Sequence, residues 1–155
     1  MRRSPFLLAL ALIMLHGGSA FAGQPRQLAA DLRRLLAICH MSAAERDGAL
    51  VLKAGWQDGP NGPLHLRGAY GRIAVATGDQ RCALDFDLAA GSMTDVVRIV
   101  DGWVRAKDKG ATFRDPRSDG GTKAIWALRH STVKLDLAAG PTRGRLIVTD
   151  FPSRR

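Results

Sequence analysis

The chain has 155 residues, 46% of them hydrophobic and 24% charged, with a formal net charge of +9 and two cysteines. That length suits one domain with a real buried core. No internal repeat, low-complexity segment or, beyond the first residues, stretch long enough to cross a membrane is present. A basic balance draws a protein to anionic surfaces such as lipid headgroups, acidic glycans or nucleic acid, though the same charge also serves solubility alone.

The start reads as a cleaved export signal. Arg2 and Arg3 give a positive beginning, Phe6 to Leu15 is an uninterrupted apolar run, and Ala20-Phe21-Ala22 offers small residues to a signal peptidase. The expected cut lies between Ala22 and Gly23, giving a leader of 1–22 and a single domain over 23–155. Ten apolar residues are too few for a comfortable membrane span. Arg2-Arg3 raises the twin-arginine route, but Pro5 and the strong apolar run favour ordinary secretion, and no cysteine follows the run to carry a lipid. Losing Arg2 and Arg3 lowers the charge from +9 to +7. The expected location is the periplasm or the outside of the cell.

Cys39 and Cys82 are an even pair in an oxidising compartment, which favours one disulfide. It would close a loop of roughly 44 residues, worth about 4 kcal/mol by chain entropy.

In chain order, Pro25 and Arg26 open a first helix whose Leu28, Leu32, Leu35, Leu36 and Cys39 share one face. Ser42-Ala43-Ala44-Glu45 is a capping box for a second helix over 43–54, closed by Gly55, with Trp56 folding back on Val51. Residues 57–63 read as a loop. Gly71 to Thr77 is a strand, Gly78-Asp79 a hairpin turn, and Cys82, Leu84, Phe86 and Leu88 form the core side of the next strand. A disulfide from Cys39 to Cys82 then staples helix to sheet. Ser92 caps a third helix with an apolar stripe of Met93, Val96, Val97, Val100, Trp103 and Val104. Residues 113–121 read as a loop. Thr122 to His130, Thr132 to Leu137 and Gly144 to Asp150 are three more strands, and Pro152 to Arg155 should fray. The sum is an α+β domain: an antiparallel sheet of about five strands packed on one face by about three helices.

Few residues carry chemistry. Asp85 and Asp87 lie two apart on one strand face, with side chains about 7 Å apart, a spacing that inverting glycosidases use; a solvated face balanced by Arg81 explains them as well. His130-Ser131 lacks the nucleophile elbow and falls in a hairpin corner. Cys39-His40 could be thiol and base or two metal ligands, but helix neighbours diverge and His65 and His130 lack zinc spacing. No Cys-x-x-Cys is present. The glycine-rich stretches at 59–62 and 140–144 are turns, lacking the lysine and helix of a phosphate loop. No catalytic residue, metal or cofactor is expected.

Candidate binding residues are Trp56, Arg98, Arg105 and Lys109. Trp103 and Trp126 read as core. Aromatic residues do not interleave with the basic ones, which argues against a nucleic-acid platform. An arginine patch forms if the first and third helices pack side by side. No stretch matches a family signature, and the plan resembles that of many small exported bacterial proteins with one disulfide. The expectation is a non-enzymatic envelope protein that binds an anionic component. The alternatives are an inhibitor or accessory subunit docking through Trp56 on another exported protein, and a hydrolase working through Asp85 and Asp87.

Overall fold

The computed structural model describes residues 19–42, 45, 46, 49, 56, 57, 64–78, 80–115 and 121–150. Its elements are α1 (Ser19–Cys39), β1 (Trp56–Gln57), β2 (Leu64–Gly68), β3 (Gly71–Gly78), β4 (Arg81–Leu88), α2 (Met93–Lys107), β5 (Thr112–Arg114), β6 (Lys123–Ala127), β7 (Ser131–Asp136) and β8 (Arg143–Asp150). The strands form one antiparallel sheet in the order β1-β2-β3-β4-β8-β7-β6-β5. The order is a palindrome about the β4–β8 pair. Among the described residues, each half is one complete helix followed by four antiparallel strands, so the architecture repeats although the sequence does not.

The α+β class is as expected, but the counts are not. Eight strands replace about five, and two helices replace about three as complete elements among the described residues. The five expected strands are β3, β4, β6, β7 and β8. The three additions, β1, β2 and β5, have two, five and three residues. They lie toward the two edges of the sheet, where pairing to one longer neighbour defines the strand more than their own composition does. β5 takes Phe113 and Arg114 out of the expected loop, and β1 takes Gln57 out of another. The pairing Gly78↔Arg81 puts the β3–β4 turn one residue later than expected.

Helix α1 begins at Ser19, six residues before the expected opening at Pro25, and runs through the expected cut point after Ala22. Pro25 has no N–H to give the carbonyl four residues back. In a chain starting at Gly23 it would sit in the first turn, where that donor has no partner to lose. Residues 1–18 lie outside the described residues. Of the expected second helix, Glu45, Arg46 and Ala49 are helical. The glutamate half of its capping box is present: Glu45 Oε2 accepts from the Ser42 N–H at 3.3 Å and from the Ser42 hydroxyl at 2.8 Å. The rest of that helix, the closing Gly55 and residues 151–155 lie outside the described residues.

The core sits between one sheet face and the two helices. Leu28, Leu32, Leu35, Leu36 and Cys39 of α1 are buried, with Met93, Val96, Val100, Trp103 and Val104 of α2. They meet Ile73, Val75, Cys82, Leu84, Phe86, Trp126, Val133, Leu135, Leu146 and Val148 of the sheet in one cluster. Gly144 on β8 lets α2 come close, since a Cβ there would stand 2.5 Å from Met93 Cε and 2.8 Å from the Asp136 carbonyl oxygen. Gly71 opens β3 at φ +117°, and a Cβ there would collide with the Asp87 carbonyl.

The two helices are tied down by different chemistry. Cys39 and Cys82 form a disulfide, so α1 is bonded to β4 as expected. Asp101 of α2 accepts from the Trp126 indole of β6 at 3.1 Å and also pairs with Arg105 at 2.8 Å. The Arg105 hydrogen bond, then that of Trp126, holds the Asp101 carboxyl below its ordinary range against the opposing effect of burial. Among the described residues, no helix is long and apolar enough to cross a membrane.

Candidate functional site

Among the described residues, both helices cover one sheet face and leave the other open. Strand alternation places every second side chain on that open face, and the register lines these side chains up in rows across the strands. The first row is Arg67, Arg72, Asp87 and Arg143. Asp87 is shared: Arg72 lies 3.7 Å away and Arg143 3.3 Å away. Arg67 stands directly opposite Arg72, a like-charge pair that costs stability unless a counter-anion is near. The second row is Ala74, Asp85, Arg145, Asp136 and Lys123. Arg145 grips Asp85 with two contacts, Nε at 2.7 Å and a terminal nitrogen at 2.9 Å, and Lys123 lies 3.9 Å from Asp136. The third row is Ala76, Ala83, Ile147, Lys134 and Ile125. Arg114 of β5 extends it opposite Ile125; between its ends it is apolar except for Lys134, which has no ion pair among the described residues.

With Arg81 and Arg114 on the same side by alternation, the open face carries eight exposed cations against the three carboxylates Asp85, Asp87 and Asp136. Exposed ion pairs of this kind contribute little to stability. Their arrangement therefore bears more on what the face attracts than on why the chain folds.

A groove of about 510 Å³ opens in this face. It is lined by Asp85, Arg143 and Arg145 of β4 and β8, by Lys123, Lys134 and Asp136 of β6 and β7, and by the apolar Ile147, Ala138 and Ala139. A second hollow of about 530 Å³ lies at Arg67, Arg72 and Asp87. Both are in the size range of small-ligand clefts.

Asp85 and Asp87 sit side by side on one face, as their spacing predicts, yet arginines engage both. Arg145 occupies both oxygens of Asp85, and Arg72 and Arg143 converge on Asp87.

A second cluster gathers where α1 ends. His40 Nε2 lies 3.1 Å from Ser131 Oγ, and His40 Nδ1 lies 4.0 Å from Asp150 Oδ1. The residue types are those of a hydrolase triad, and the geometry does not perform its work. Ser131 is the first residue of β7 and has no exposed surface. The His40–Asp150 distance exceeds a hydrogen bond. Asp150 is instead held by Arg46 at 3.0 Å, and Arg46 also donates to the Met41 and Gly78 carbonyls at 2.9 and 3.2 Å. The Arg46 side chain is 1% exposed. His40 also packs on Trp103, ring centres 5.2 Å apart. The cluster is a polar knot joining the end of α1 to β3, β7 and β8 beside the disulfide.

Burial lowers the His40 pKa below 6.5. The Asp150 charge opposes this shift and Lys107 and Arg46 add to it.

Ser131 closes the β6–β7 hairpin as expected, its carbonyl accepting from the Leu128 N–H at 2.9 Å, and its side-chain partner is His40 at the end of α1 rather than its neighbour His130. Cys39 is bonded to Cys82, so no thiol stands beside His40 to act with it. Nothing local pointed to the His40–Ser131 contact, because 91 residues separate the two.

The remaining candidates are dispersed. Arg98 pairs with Asp95 at 3.3 Å and Arg105 with Asp101 at 2.8 Å, both on the helix layer, and Lys109 is exposed in the turn after α2. The structure does not bring them to the open sheet face. Trp56 pairs with Leu66 through β1, and its side chain lies outside the described residues. Among the described residues no three His, Cys, Asp or Glu side chains gather as a metal site. The residues that sequence reasoning missed are Lys123, Lys134, Arg143 and Arg145. The alternation in 132–137 and 144–150 was the signal that would have set their side chains on a common face.

No protein-family model matches the chain, and no curated protein and no solved structure matches it significantly.

Proposed function

We propose that the chain is exported, processed after Ala22, and acts without catalysis by binding an anionic component of the bacterial envelope on its open sheet face. The observation that carries this reading is the excess of cations over carboxylates on that face, eight against three. The Cys39–Cys82 bond supports an oxidising compartment. Binding rather than catalysis is favoured because Ser131 is buried and both paired aspartates are engaged by arginine.

The test is co-sedimentation of the disulfide-bonded chain with vesicles of phosphatidylglycerol or phosphatidylcholine, and retention on an immobilised acidic glycan, each at low and high salt. Association with an anionic surface that is lost at high salt is the expected result, since exposed charges are screened within about 10 Å at 0.1 M salt. Equal binding to neutral and anionic vesicles, or indifference to salt, would overturn the reading.

A further inference from the structure

Two features of the open face narrow the class of anion. The first is apolar surface where an uncovered antiparallel sheet ordinarily presents polar side chains. Ala74, Ala76, Ala83, Ile125 and Ile147 all lie on this side, and Ala83 is only 5% exposed although no helix among the described residues covers it. The second is the interleaving of the charges. Asp85, Asp87 and Asp136 stand between the cations, so a long polyanion laid along the first or second row would meet carboxylates as well as cations. Lys134 is different: it rises from the apolar row between Ile125 and Ile147, at the groove wall, with no carboxylate paired to it among the described residues. One acidic group fits there, and hydrocarbon fits beside it.

We propose that the groove holds a single-chain anionic amphiphile, its acid group on Lys134 and its hydrocarbon against Ile147, Ala138 and Ala139. This assignment rests on the anionic-partner reading above and names the ligand class for it. The groove's net charge, four cations against two carboxylates, supplies the complementarity, and Arg145 and Lys123 are largely committed to Asp85 and Asp136. Lys134 is thus the cation free to meet the head. Its ammonium is a compact point charge that suits a phosphate or carboxylate without a fixed fork geometry.

The experiment is isothermal titration of the disulfide-bonded chain with dodecyl phosphate below its micelle-forming concentration, alongside dodecanol and inorganic phosphate. Dodecyl phosphate should bind one to one, and dodecanol and inorganic phosphate each at least about tenfold more weakly, because each lacks one of the two contacts. Lys134→Glu should abolish binding, and Lys134→Gln should weaken it by about tenfold. Both lie at an exposed strand position, and matching thermal melts check that they fold. Arg26→Glu on the exposed side of α1 should bind as the unaltered chain does. Dodecanol or inorganic phosphate binding as tightly as dodecyl phosphate, or a folded Lys134→Glu binding normally, would overturn the proposal. Should dodecyl phosphate fail while anionic vesicles or glycan still bind with salt dependence, the amphiphile is wrong and the anionic-partner reading survives. Should no anion bind, both fall.

Discussion

His40 links protonation to folding through its surroundings. The ring is packed on Trp103, bonded to Ser131 and near Asp150, and burial outweighs the carboxylate's attraction, so the folded state holds the proton less tightly than the unfolded chain. Below about pH 6.5 the unfolded state binds a proton that the folded state does not. The associated stability is complete above that pH and is lost as pH falls toward the folded value. Asp101 and Asp108 have lowered values, the latter through backbone donors from Arg129 and Gly110, so their contributions vanish only below the carboxylate range. Urea midpoints should therefore rise as pH increases toward about 6.5 and level off above it, and the rise should flatten in His40→Gln. An equal rise in the variant would assign the effect elsewhere. Arg46 completes the same knot. Its terminal nitrogens donate to three acceptors, the Met41 and Gly78 carbonyls and Asp150, which offset the burial of the charge, while Nε has no partner among the described residues.

Helix α2 is set by its first turn. Ser92 is extended, its hydroxyl accepts from the Asp95 N–H, and Asp95 reaches back to the Ser92 N–H at 3.0 Å, a reciprocal box that satisfies two otherwise orphaned donors. Beyond it, the apolar stripe predicted from spacing is the face that is buried. Replacing Ser92 by Ala should cost about 1 kcal/mol, read as a lower unfolding midpoint by circular dichroism. A change below about 0.3 kcal/mol would mean that packing alone places the helix start. Strands β2 and β5 contrast with this helix. Leu64 and Leu66 alternate with His65 and Arg67, but five residues between Pro63 and a turn make a weak strand until β3 supplies its partner. β5 is shorter still and exposed throughout, with Phe113 stacked on Trp126 at 5.0 Å as its main attachment.

The palindromic sheet joins two like halves along β4 and β8, but only the first half carries the covalent tie. The loop closed by Cys39 and Cys82 spans a sequence separation of 43 and includes the segment from the end of α1 through β3. Reduction should release that segment and lower the unfolding free energy by about 4 kcal/mol, measured in urea with and without reductant. For a domain of this size that is a large share of the total. A loss under about 1 kcal/mol would mean that the reduced chain keeps the same loop closed by packing. Intact mass with alkylation before and after reduction, on protein recovered from the secreting host, checks the bond and the cut after Ala22 together.

Periodicity alone was enough to place the two long helices, the five longer strands, the buried stripes and the helix-to-sheet disulfide, because burial on one face imposes a spacing of 3.6 or 2 that residues display locally. The same alternation put Asp85 and Asp87 on one face. It did not reveal that Arg145, 60 residues on, would take one and Arg143, 56 residues on, the other. Nor could it show that Ser131 would meet His40, or that Lys134 would stand alone among apolar neighbours. Those pairings depend on strand order and register, which are decided by contacts between distant segments once the core has closed. The candidate site belongs to that second category: its residues are ordinary strand positions until the β4–β8 and β7–β8 pairings bring them to one groove.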